Sequence, residues 1–126
     1  MINQFANLNW LSIFIALVAY SMLGALWFTV LFGKFYKLSL GKAEETLPIK
    51  PIFIVGPTLC MFVITVTTAI LICSLNIGSI PEVIEFACII GFGFLVANTV
   101  NIAINPNIPR PILYGTLSGA YQLVGI

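Results

Sequence analysis

Of the 126 residues, 60% are hydrophobic and only 7% charged, with five Lys and Arg against four Asp and Glu and no His. A soluble domain carries ~25% charged residues, and no soluble fold of this length can hide so much apolar surface. Composition therefore excludes a water-soluble enzyme, leaves no basic face for nucleic acid, and points to a small multi-pass membrane protein.

The first apolar run, Trp10 to Leu31, is long enough to cross a ~30 Å hydrocarbon core, which takes about 20 helical residues. Trp10 and Trp27 stand roughly 25 Å apart at ~1.5 Å per residue, a spacing suited to two interfacial anchors. Met1 to Asn9 has no Lys or Arg, and the run exceeds the apolar core of a secretory signal, so a span is expected here. The following loop, residues 33–50, holds Lys34, Lys37, Lys42 and Lys50 with Phe35, Tyr36 and Leu38 among them, a mixture suited to an interfacial segment. Its Glu44 and Glu45 are expected to be solvated. A second run extends from about Ile52 to Leu75, with Pro51 in the first turn and Pro57 deeper as a candidate kink. The third goes from about Val83 to Ile104 and is stopped by Asn105-Pro106-Asn107-Ile108-Pro109-Arg110-Pro111. That stiff turn makes the third and fourth helices antiparallel neighbours. The fourth run, Ile112 to Ile126, is about 15 residues and rises only ~22 Å.

All five cations lie in the loop 33–50 or in the turn 105–111. The segment Asn76 to Glu85, from the end of the second run into the start of the third, has Glu82 and Glu85 but no Lys or Arg. The positive-inside rule then makes that loop and turn cytoplasmic. The expected fold is all-α: one domain of residues 1–126, an integral membrane four-helix bundle in an N-out/C-out orientation with spans at about 10–31, 52–75, 83–104 and 112–126.

Polar side chains in the last two helices are arranged in strips. Asn98, Asn101 and Asn105 fall within about 60° of arc on a regular helix, with Gly91 and Phe94 continuing the strip. Tyr114, Ser118, Tyr121, Gln122 and Gly125 form a second strip, preceded by Arg110. The economical arrangement packs one strip on the other, so that amides and hydroxyls satisfy each other where water is absent. The same groups could instead line a site for a small polar solute. Arg110, Lys34 and Lys37 are candidate contacts for an anion or a lipid headgroup, since a cation at a helix start adds to the positive dipole end. Gly115 and Gly119 form a G-x-x-x-G pair and are the candidate self-association face, against ordinary intrachain packing. Thr58, Thr65 and Thr68 share a face, but threonine can satisfy its own helix backbone.

Catalysis is hard to assemble from these residues. The four glutamates lie in loops or at a helix start, and Cys60, Cys73 and Cys88 lack metal-ligand or C-x-x-C spacing. No catalytic residue, metal or cofactor is expected, and the lipid bilayer and further copies of the chain are the expected partners.

The residues Asn9-Trp10, Gly24-Ala25-Leu26-Trp27-Phe28 and Leu31-Phe32-Gly33-Lys34, with Asn98, Arg110, Tyr114 and Gly119-Ala120-Tyr121 late in the chain, resemble the bacterial family called domain of unknown function 1761. Thr29-Val30 stands where that family's Ser-Pro is expected. The resemblance covers almost the whole chain and implies a four-span protein of a bacterial inner membrane, with no activity to transfer. The small multidrug resistance transporters, also four-span, are built around a membrane-embedded glutamate. The first run here has no acid, and the cation asymmetry opposes their dual insertion. Two functions remain: a non-enzymatic scaffold or accessory protein acting through contacts, and a carrier or channel subunit for a small polar or neutral solute.

Overall fold

A computed structural model describes residues 2–126 of the chain. The fold is all-α. A 3-10 turn (Ile2–Asn7) leads into α1 (Trp10–Leu26), which continues as a π-helical segment (Trp27–Leu31), and α2 (Gly33–Ser39) follows. Then come α3 (Ile52–Ser74), α4 (Ile80–Ile90), a second π segment (Gly91–Val96), α5 (Ala97–Ala103) and α6 (Pro111–Gly125). Three continuous helical stretches are long and apolar enough to cross a membrane: Trp10–Leu31, Ile52–Ser74 and Ile80–Ala103. The 15 residues of α6 rise ~22 Å, short of a ~30 Å core.

Local chemistry sets the helix ends. The third stretch starts three residues before Val83 because Ser79 and Glu82 form a capping box. The Glu82 carboxylate accepts from the Gly78 and Ser79 N–H groups at 3.1 and 3.0 Å, and the Ser79 hydroxyl accepts from the Glu82 N–H at 3.4 Å. At the end of α3, Asn76 takes φ +54, the Ile77 N–H reaches back to the Ile72 carbonyl at 3.1 Å and the Asn76 N–H to that of Cys73 at 3.3 Å. This is a Schellman closure. Gly41, at φ +70, closes α2 in the same way, with the Lys42 N–H on the Lys37 carbonyl at 2.9 Å. A side chain at Gly41 would be strained by that left-handed backbone.

The chain divides into two compact units, Met1–Met22 with Ile49–Glu85, and Leu23–Pro48 with Phe86–Ile126. In the first, Leu8, Ile13 and Tyr20 are buried and the Ser21 hydroxyl lies 3.8 Å from the Met61 sulfur as a weak donor. No residue of α3 is fully buried. Thr58 and Thr65 donate to the Ile54 and Met61 carbonyls of their own helix, both at 2.8 Å, so this threonine pair needs no outside partner. The second unit holds Ser39, Phe86, Ala103, Leu117, Ser118 and Tyr121 in its core. It also contains the α5–α6 hairpin, whose turn is held by Asn105: its amide donates to the Ile102 carbonyl at 2.6 Å and its side-chain oxygen accepts from the Asn107 N–H at 2.8 Å. Pro111 then opens α6 at a position where its missing N–H costs nothing.

Candidate functional site

The polar strips belong to the second unit, where α6 runs antiparallel to α5 and the second π segment. A Cβ placed on Gly115 would lie 3.4 Å from both the Ala103 Cβ and the Val100 Cγ2, and one on Gly119 would lie 3.2 Å from the Val96 Cγ1. A Cβ on Gly91 would lie 2.6 Å from the Leu123 Cδ1 and 3.4 Å from the Ile126 Cγ2. The seam is therefore Gly91, Val96, Val100 and Ala103 against Leu123, Gly119 and Gly115. Apart from Leu123, it is closed by small and β-branched residues at close backbone approach.

Two sequence expectations change here. Gly115 and Gly119 are buried inside the chain, against α5 and the π segment, and form no outer self-association face. The Asn strip does not pack on the Tyr/Ser/Gln strip: Asn98 and Asn101 are exposed, while Asn105 is half-buried and turned to its own loop. The cause is helical phase. At ~100° per residue, Asn98 and Asn101 lie roughly 130–170° from the mean direction of the Val96–Val100–Ala103 line that faces α6. A regular helix would also put Gly91 on the Asn side. The π segment Gly91–Val96 uses i→i+5 spacing, so Gly91 and Val96 stand one above the other and both meet α6.

The tyrosine strip faces elsewhere. Tyr121 is buried, and its hydroxyl oxygen lies 2.9 Å from where a Cβ on Gly24 would stand, so only glycine in α1 admits it. Phe28 packs edge-on to both Tyr121 and Tyr36, at 5.1 and 4.9 Å between ring centres, and Tyr36 meets Tyr114 at 6.0 Å. Trp27 meets Phe32 in a tilted pair with ring centres 4.6 Å apart and donates its indole N–H to the Leu117 carbonyl of α6 at 3.1 Å. Trp27, expected from the sequence as an interfacial anchor, also binds the first π segment to α6. In that segment the Thr29 hydroxyl donates to the Ala25 carbonyl at 2.5 Å, and the π winding occurs without a proline. Burial, and then the neighbouring Tyr114, push the Tyr36 phenol above its ordinary range, so it is neutral at physiological pH. Ser118 is buried and Gln122 half-buried along the same helix.

The two cation-bearing segments touch. The Arg110 N–H donates to the Ser39 carbonyl at 3.3 Å, and a Cβ on Gly41 would lie 3.1 Å from Pro109. The buried Ser39 hydroxyl donates to the Tyr36 carbonyl at 2.6 Å. Arg110 is exposed, beside a shallow groove of about 470 Å³ lined by Arg110, Pro111, Ile112, Leu113 and Thr116. Lys34 is exposed and Lys37 half-buried on α2. No cluster of His, Cys, Asp and Glu able to hold a metal occurs among the described residues.

Part of the motif thus converges on α6: Gly24, Trp27 and Phe28 meet Leu117 and Tyr121, and Gly119 meets Val96, while Asn98 faces outward. A family profile described as a protein of unknown function (DUF1761) matches residues 11–126. The chain belongs to that family. In this member of the DUF1761 family, the G-A-L-W-F stretch serves packing: glycine admits a tyrosine, and the two aromatics bind and flank α6. Comparison with curated proteins and with solved structures found no match.

Proposed function

We propose that this protein is an integral membrane protein that works through contacts with other membrane components, as a scaffold or accessory subunit and not as an enzyme. Four helices lie in a bacterial inner membrane, with residues 33–50 and 105–111 on the cytoplasmic side. The contact of Ser39 with Arg110 supports placing both segments on one side, and the five cations supply its sign. Arg110, Lys34 and Lys37 then meet lipid phosphates at that surface.

The observation that carries this reading is the closed α5–α6 seam. A path for a polar solute between these helices would require Asn98 and Asn101 beside Tyr121 and Gln122. Instead Val96, Val100 and Ala103 fill the space against the glycines, and the carboxamides are turned outward. Polar groups displayed on an outer helix face suit recognition of a neighbouring helix.

Reconstitution of the full chain in vesicles tests the proposal. Osmotic-shrinkage rates with urea and glycerol should equal those of protein-free vesicles. A protein-dependent acceleration that saturates with solute would overturn the contact reading in favour of a carrier. Cysteines introduced at Lys42 and Asn107 should react with an impermeant maleimide only from the cytoplasmic side.

A further inference from the structure

Asn98 and Asn101 are exposed on the third stretch, and among the described residues neither side chain has a hydrogen-bond partner. The stretch Ile80–Ala103 has 24 residues and rises ~36 Å, against a hydrocarbon core of ~30 Å. Asn98 lies roughly 7.5 Å from its Ala103 end and so falls within the core, with Asn101 at its edge. Each carboxamide carries two N–H donors and an acceptor oxygen that lipid chains cannot satisfy.

We infer that a second copy of this chain covers this face, related by a two-fold axis along the membrane normal, with Asn98 and Asn101 paired to their counterparts. A carboxamide is its own complement, since each can donate to and accept from another. Cation asymmetry inserts every copy in one orientation, so a two-fold axis sets each asparagine opposite the same residue at the same depth. A different partner would need polar groups at both depths; a second copy has them by symmetry.

The surroundings allow the approach. Nothing lies within 4 Å of a Cβ built on Gly93, and Ala97 is exposed, so Gly93, Ala97 and Asn101 continue one open line at four-residue spacing. Phe94, 67% exposed, and Ile102, 58% exposed, flank the asparagines as apolar contact surface. The π segment that turns Gly91 to α6 leaves Gly93 outward. This inference rests on the contact reading above and names its partner.

The test uses the full chain in phosphatidylcholine and phosphatidylglycerol vesicles, with Cys60, Cys73 and Cys88 replaced by Ala and a fluorophore on Lys42→Cys. Energy transfer between labelled copies, followed over lipid dilution, gives the dimer dissociation constant. Asn98→Leu with Asn101→Leu should raise it about tenfold, the scale of two amide pairs in a membrane. Asn98→Gln with Asn101→Gln should restore dimerisation, and circular dichroism should be unchanged in both. In the same background, Ala97→Cys should form an intermolecular disulfide on oxidation and the exposed Val63→Cys should not. Absence of energy transfer at every dilution, a Leu variant that dimerises as tightly as the parent, or cross-linking at Val63 and not at Ala97 would overturn the inference. Those outcomes leave the contact reading standing, because that reading fails on solute flux.

Discussion

Gly115 and Gly119 allow the seam to be tested one carbon at a time. At Gly115 an added methyl meets the Ala103 Cβ and Val100 Cγ2 at 3.4 Å and the Val100 Cα at 3.5 Å, ordinary contact distances. Gly115→Ala should therefore fit and gain up to ~1 kcal/mol from helix propensity. At Gly119 the methyl falls 3.2 Å from the Val96 Cγ1, and a helical valine is held in one rotamer. The backbones must then separate by a few tenths of an ångström. That overpacking, ~1 kcal/mol at the low end of its usual range, cancels the propensity gain, so Gly119→Ala should be near neutral. Adding Val96→Ala removes the obstructing methyl, and the pair should couple favourably by about 1 kcal/mol. Gly115→Leu has no such escape, because the atoms ahead of it include the Val100 backbone; a loss of about 3 kcal/mol is expected. Unfolding by SDS in mixed micelles, read by Trp27 fluorescence in a Trp10→Phe background, measures all four. Trp27 is a suitable reporter because its indole binds α6 directly. If Gly115→Leu unfolds at the wild-type SDS fraction, α5 and α6 do not form this seam.

Further outcomes follow from single contacts. Trp27→Phe removes the indole donor to Leu117 and should cost about 0.6 kcal/mol, the average for a hydrogen bond between membrane helices, in an SDS titration read by circular dichroism instead of tryptophan fluorescence. Gly24→Ala drives a methyl against the Tyr121 hydroxyl at 2.9 Å; it should destabilise by 1–3 kcal/mol, and Tyr121→Phe should relieve part of that loss. Asn105→Ala breaks the turn at both of its side-chain bonds and should lower stability by about 1 kcal/mol, whereas the outward Asn98→Leu should leave the melting profile of the monomer unchanged. Gly41→Ala forces a side chain into a left-handed backbone beside Pro109 and should cost about 1–2 kcal/mol, seen as faster hydrogen exchange at the Lys42 amide.

The chain's sequence by itself determined that helices form, roughly where they lie, and that the third and fourth are antiparallel neighbours. Apolar run length and proline position are local properties, and the physics of a membrane span is nearly one-dimensional. The capping box at Ser79 and Glu82 and the left-handed closure at Asn76 were also legible in principle, since a Ser-x-x-Glu or an Asn beyond a helix end acts within a few residues. Facing was not legible. A strip drawn from Gly91 through Asn98 assumes a constant ~100° per residue, and the π turn at Gly91–Val96 breaks that phase. Only the tertiary structure decided that Gly115 and Gly119 meet Val100 and Val96, that Tyr121 enters the space left by Gly24, and that Asn98 and Asn101 face outward. A π turn forms where packing against another helix compensates its wider coil. That compensation depends on residues more than twenty positions away, which no local pattern contains.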